Sequence, residues 1–127
     1  MSVSVHIVSG PIENALPPAP SPAAGASLTF RGIVRPTEDG KPLSGLRYEA
    51  YRPMAENTLR ELCDAALRQY SLLSIHLTHS EGFVPVGAAS LIIHMESPHR
   101  AESLEAMAWL IAALKCDVPI WKHPVFA

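Results

Sequence analysis

Val3, Val5 and Ile7 alternate with Ser4 and His6, a period of two that predicts a half-buried first strand. Leu28 and Phe30 alternate with Thr29 and Arg31, which predicts a second strand through about Val34 with Gly32 as its bulge. Thr37-Glu38-Asp39-Gly40 is turn chemistry. Leu46, Tyr48 and Ala50 then alternate with Arg47, Glu49 and Tyr51, so the expectation is a third strand closing a hairpin with the second. The period lengthens at Leu59, Leu62, Cys63, Ala66 and Tyr70, giving an amphipathic helix over about Met54–Gln69. Ile75 and Leu77 mark a strand, and residues 88–96 a more deeply buried one. Ser97 suits an N-cap and Pro98 the first helical position, so a second helix is expected there, with Leu104, Met107, Ala108, Ile111 and Leu114 as its apolar stripe. Residues 118–121 form a short last strand that Pro119 assigns to an edge. The order is β-β-β-α-β-β-α-β, an α+β fold with a mixed or antiparallel sheet and two main helices.

Residues 11–22 carry five prolines, and the run from Pro17 to Pro22 cannot continue a helix. One short turn over residues 12–16 is compatible with the pattern. The segment 11–24 reads as an extended surface connector rather than a domain boundary, because one strand cannot make a domain. The expectation is therefore a single domain over residues 1–127.

Composition narrows the function classes. An apolar content of 48% fits a globular protein, and a net charge of -2 leaves no footprint for nucleic acid or an anionic membrane. Cys63 and Cys116 show no CxxC or Cys/His ligand spacing, so no zinc site is expected. The expectation is no metal and no resident cofactor. The first ten residues lack the basic start and apolar core of a signal peptide, and no stretch approaches the ~18–20 apolar residues of a membrane span. A cytoplasmic protein with reduced thiols is the default.

The candidate chemistry lies in the basic residues. Only three lysines occur, and Lys115 and Lys122 bracket the short run Cys116-Asp117-Val118-Pro119-Ile120-Trp121. Two ammonium groups sharing one pocket disfavour each other's charge, which suits nucleophile or general-base chemistry. Lys115 could equally offset the negative end of its helix, and Lys122 could be a solvated edge residue. His99 and Arg100 fall at the start of the same helix, where unpaired N–H groups favour a phosphate or carboxylate. The alternative there is a solvated helix start whose arginine pairs with Glu96 or Glu102. Arg35 ends a strand before Pro36 and can reach a cleft from a rigid base, or simply be exposed. His99 and Lys115 are 16 positions apart, roughly 24 Å along a helix. A small ligand cannot touch both in one protomer, so either there are two sites or a second subunit supplies one end. His76 and His79, at an odd offset, face opposite ways and make no metal pair. Tyr48 and Tyr51 read as packing residues.

Several motifs together resemble a known family. Thr29-Phe30-Arg31-Gly32-Ile33-Val34-Arg35, the run Leu46-Arg47-Tyr48-Glu49-Ala50-Tyr51-Arg52-Pro53-Met54-Ala55-Glu56, Ser97-Pro98-His99-Arg100, and Leu114-Lys115 with Val118-Pro119-Ile120-Trp121-Lys122 are similar to the large, catalytic subunit of molybdopterin synthase. The resemblance implies an α/β-hammerhead-like fold and a homodimer flanked by two small ubiquitin-like sulfur carriers ending in Gly-Gly, a heterotetramer. It implies a sulfurtransferase of molybdenum cofactor biosynthesis that moves sulfur from the carrier's thiocarboxylate to cyclic pyranopterin monophosphate. It makes Lys115 the leading catalytic lysine, supported by Lys122, and gives Arg35, His99 and Arg100 the pterin phosphate. The chain departs from the family pattern at Pro124, where a glutamate is usual, at Ser80, where an arginine is usual, and in the connector, where a helix is usual. The family tail also continues beyond the position of Ala127. These departures keep open a second reading, a paralogue that acts as a dimeric binding or regulatory module without catalysis.

Overall fold

The computed structural model describes residues 2–13 and 17–127. Strand β1 (Ser2–Ser9) is followed, past the connector, by β2 (Ala26–Ile33), the two-residue β3 (Thr37–Glu38) and β4 (Lys41–Ala50). Helix α1 (Met54–Gln69), the long β5 (Ser74–Pro85), β6 (Ala89–Ser97), helix α2 (Arg100–Asp117) and β7 (Ile120–Phe126) complete the order. The sheet runs β2-β6-β5-β4-β3, with β1 parallel to β5 and β7 antiparallel to β4. It is a mixed sheet with two helices, as the alternations predict.

The expected hairpin between the second and third strands does not form. β2 pairs with β6 through Leu28–Met95 and Phe30–Ile93, and the register shifts at Gly32/Ile33 where a bulge was expected. The turn supplies a small hairpin of its own. Asp39 and Gly40 both adopt positive φ, 50° and 75°, the two-residue turn that matches strand twist, and β3 folds back on the start of β4. β4 is thereby directed towards β5 and β7 instead of β2. β5 serves two neighbourhoods: its first half lies between β1 and β6, and its last residues cross to β4.

One face of the main sheet carries Val5, Ile75, Leu77, Ile93 and Met95 against α1 and α2, which answer with Leu59, Cys63, Ala66, Ala106, Leu110 and Leu114. Non-polar burial of this kind is worth about 25 cal/mol per Å² and ties both helices to one sheet face. The α2 stripe departs from expectation: Ser103 and Ala106 are buried, whereas Leu104 and Ala108 point outward, Leu104 with 54% exposure. The helix also starts later than expected. Ser97 remains in β6, pairs with Ala26 and donates its hydroxyl to the His99 carbonyl oxygen at 2.6 Å, so it cannot cap, and Arg100 becomes the first helical residue. β7 extends further than the expected residues 118–121, because Lys122, His123, Pro124 and Val125 continue the ladder on β4. It lies at an edge, where Pro124 needs no partner for the N–H it lacks.

A second, smaller core of Val34, Leu43, Leu46 and Val84 sits where β4 crosses β5. Gly45 lies in that crossing, paired with Pro85 on one side and Val125 on the other, and a Cβ there would run into the Val84 carbonyl oxygen. Gly45→Ala is expected to destabilise the protein by about 1–3 kcal/mol through forced backbone displacement, read as a lower urea midpoint. The connector is pinned from below. The Ile12 N–H donates to the Ala89 carbonyl at 3.0 Å, its side chain packs on Ala89 and Ile92, and the Ser21 N–H donates to Glu96 at 3.3 Å. The turn expected over residues 12–16 falls largely outside the described residues. No helix among the described residues is long and apolar enough to cross a membrane.

The two thiols are in opposite settings. Cys63 is fully buried in the main core, and burial, with Asp64 nearby, pushes its thiol up to about 12, while Cys116 is exposed. A thiol reagent at pH 8 should therefore label Cys116 alone in the native protein and reach Cys63 only in denaturant.

Candidate active-site cleft

Where the main sheet hands over to the β4–β7 ladder, a cleft of about 680 Å³ opens. Its floor is apolar, from Phe30 of β2, Leu91 of β6, Ile111 and Leu114 of α2, and Ile120 of β7. Four basic side chains stand around it: Arg31, Arg35, Lys115 and Lys122. No carboxylate lines it, and none of the four cations has an ion-pair partner among the described residues. In a chain of net charge -2 this is a local concentration of uncompensated positive charge above a low-dielectric floor, the condition for holding an anion.

The scaffold fixes each cation by its backbone. Val34 is 2% exposed, its N–H donates to the Ala88 carbonyl at 3.0 Å, and it accepts from the Gly87 N–H at 2.9 Å, so Arg35 leaves a clamped segment. Pro36 then accepts from the Leu43 N–H at 2.9 Å. Lys115 occupies the last turn of α2 next to buried Leu114. The chain leaves that helix through Val118, and the Pro119 carbonyl accepts from the Tyr51 N–H at 3.0 Å. β7 is thereby set so that Lys122 lies directly across from Tyr48. Six residues of sequence separate the two lysines, and the reversal from helix to strand returns the second to the same cleft.

The inner wall is polar. The Tyr48 hydroxyl donates to Ser90 Oγ at 3.0 Å, and its ring meets the His79 imidazole edge-on, 5.4 Å between centroids at 78°. His79 is 5% exposed and its Nδ1 lies 2.8 Å from the Ser80 carbonyl oxygen. Burial holds its pKa below the ordinary histidine value, against a smaller upward effect of that carbonyl.

Of the five residues singled out in the sequence, three converge here: Arg35, Lys115 and Lys122. His99 and Arg100 do not. They sit at the far end of α2, both exposed, with His99 Nδ1 3.5 Å from Glu102. The expected pairing of Arg100 with Glu96 or Glu102 is not observed: the histidine takes Glu102, while Glu96 is engaged by Ser21 and Ser74. Sequence reasoning passed over Tyr48, His79, Ser90 and Arg31. Tyr48 is not a simple packing residue, and the signal for His79 was present. It continues the alternation of Ile75 and Leu77, which puts an imidazole on an apolar face.

Residues 7–117 match the family described as MoaE protein. The chain belongs to that family. A relative from Bos taurus, named molybdopterin synthase catalytic subunit, is 45% identical over 106 residues, which cover 84% of this chain and 56% of that one. This chain thus spans just over half the length of that relative. The crystal structure of molybdopterin synthase from Staphylococcus aureus superposes with a TM-score of 0.85 at 29% identity, covering 95% of this chain and 90% of the other. A complex of subunits 1 and 2 of molybdopterin-converting factor from Helicobacter pylori shares the fold, with a TM-score of 0.75 at 23% identity over 97% and 89% of the two chains. The mixed sheet with two helices therefore matches solved MoaE-like structures.

Proposed function

We propose that this chain is the catalytic subunit of a molybdopterin synthase. It would act as a sulfurtransferase that converts cyclic pyranopterin monophosphate to molybdopterin with sulfur from a thiocarboxylated small carrier. The observation that carries this reading is the convergence of Arg35, Lys115 and Lys122 on one cleft in which no carboxylate offsets them. Both reactants are anions, a cyclic phosphate on one side and a carrier C-terminal thiocarboxylate on the other. The apolar floor formed by Phe30, Leu91 and Leu114 accepts the flat body of a pterin, and Arg35 takes its phosphate. Lys115 faces the carrier terminus as base or nucleophile, and Lys122, held opposite Tyr48, offsets the charge that develops as sulfur moves.

His99 and Arg100 belong to this reading only through a second copy of the chain. They lie roughly 24 Å along α2 from Lys115, so in a homodimer the partner's helix start would complete the phosphate site. The working assembly is then one domain per chain, two chains in a dimer and one ubiquitin-like carrier ending in Gly-Gly on each, in the cytoplasm. That a two-subunit complex is named for the Helicobacter pylori structure supports a partner of this kind.

One observation favours the non-catalytic alternative: Pro124, exposed on β7 opposite Leu46, stands where the family pattern has a glutamate. Reconstitution decides between the two. Purified chain, thiocarboxylated carrier and cyclic pyranopterin monophosphate should yield dithiolene product. A folded dimer that binds the carrier and makes none is the paralogue.

A further inference from the structure

The cations of the cleft account for an anionic group, but they leave its inner wall unused. There the His79 Nδ1 faces the Ser80 carbonyl oxygen, which can only accept, so Nδ1 carries the proton and donates. In the neutral ring Nε2 is then a bare acceptor. No donor among the described residues reaches it, yet it is not among the side-chain atoms sealed from solvent without a partner, so it opens on the cleft that the residue lines. The ring cannot turn away easily, being packed against the Tyr48 edge while Tyr48 is tied to Ser90. The other polar side chains on the wall offer fewer acceptors. Arg31 and Arg35 only donate, as do Lys115 and Lys122 when charged, and the Tyr48 hydroxyl spends its proton on Ser90 Oγ, which leaves the lone pairs of those two hydroxyls as the other side-chain acceptors.

We propose that His79 Nε2 is a specificity-determining acceptor that reads an N–H donor on the body of the ligand while the surrounding cations hold its anionic group. This rests on the reading of the cleft as the pterin phosphate site and deepens it. The ligand class is an anion carrying a ring N–H, as a reduced pterin does, and a bare anion engages the cations alone. Burial keeps the imidazole neutral at pH 7, the form with an acceptor. Leaving a buried donor of the ligand without a partner costs far more than the bond returns, and this is how such a site rejects near analogues.

Calorimetry on the full chain with two probes tests this. Cyclic pyranopterin monophosphate carries ring N–H groups and sulfate carries none. His79→Phe keeps an aromatic ring against Tyr48 and removes the acceptor, so pterin affinity should fall about tenfold while sulfate affinity stays level. His79→Gln, which returns an acceptor near the Nε2 position, should recover most of the loss. Acidification provides a readout without mutation. As pH falls below 6.5 through the depressed His79 pKa, Nε2 gains a proton and pterin affinity should drop. The groups facing His79 within the chain are Tyr48 from β4, Arg31 and Arg35 from β2 and its end, Lys115 from α2 and Lys122 from β7, and none of these side-chain types changes charge in that range. The partner's His99, at the phosphate, does gain charge there but acts on pterin and sulfate alike, so the readout is pterin affinity relative to sulfate. Sulfate affinity should hold or rise as the imidazolium joins the cations. Unchanged pterin affinity in His79→Phe, or pterin binding that does not fall relative to sulfate in acid, overturns the proposal and leaves the cleft reading standing. A wild-type chain that binds neither probe overturns both. Should His79→Phe fail to fold, His79→Gln and the wild-type acid response still decide.

Discussion

Lys115→Ala is expected to lower dithiolene formation by at least about 100-fold while the protein stays folded. Positioned proton transfer typically supplies a factor of about 10² to 10⁴, or roughly 3–5 kcal/mol of barrier. The competing structural role of Lys115, a cation in the last turn of α2, is worth only about 0.3–1 kcal/mol of stability. The two roles therefore separate by magnitude. An alanine variant that melts close to wild type but makes no product carries a catalytic lysine, and one that is active but slightly less stable carries a helix-end charge. Lys115→Arg sharpens the test, because a guanidinium keeps its charge and cannot act as base or nucleophile. It should fail nearly as badly as alanine. Single-turnover assays with saturating carrier and pterin give the comparison, and activity retained in the arginine variant would restrict Lys115 to electrostatics.

What the sequence could disclose followed from local periodicity, and what it withheld depended on pairing. Helix α1 is legible to the residue, because Leu59, Cys63 and Ala66 repeat at helical spacing and all three are fully buried. The partner of β2 was not legible. Leu28 and Phe30 would alternate in the same way against β4 or β6, and the choice is made by the Asp39-Gly40 turn, which commits β4 to a different neighbour. The start of α2 was misplaced for a similar reason. Ser97-Pro98 has good capping chemistry, but the ladder of β6 with β2 keeps Ser97, and tertiary pairing overrides local preference. The site divides along the same line. Scarce lysines and a strand-end arginine are visible as residue types, so Arg35, Lys115 and Lys122 could be named in advance. The position of Lys122 across from Tyr48, and of Tyr48 beside His79, depends on the registers of β4 with β7 and β5, which no local pattern encodes.

Mixed dimers provide the second large effect, since Arg35, Lys115 and Lys122 line one cleft and His99 and Arg100 lie at the other end of α2. Arg100→Ala alone should weaken pterin binding by roughly 10- to 100-fold, the equivalent of one charge-assisted contact of about 1.5–3 kcal/mol, with little change in carrier affinity. Co-refolding Arg100→Ala with Lys115→Ala then discriminates between architectures. If each pocket takes Lys115 from one protomer and Arg100 from its partner, a mixed dimer holds one pocket with both residues intact and one with neither. Random mixing makes about half the dimers mixed, so at pterin concentrations well below the weakened Kd of Arg100→Ala, where both parents are nearly inactive, about a quarter of wild-type activity should return. A pocket built within one protomer gives no such recovery, because every pocket then lacks either the lysine or the arginine. Activity of the co-refolded mixture is the measurement, with each parent refolded alone as the baseline. A mixture no better than its parents would remove His99 and Arg100 from the pterin site and return them to the solvated helix start that the His99–Glu102 contact describes.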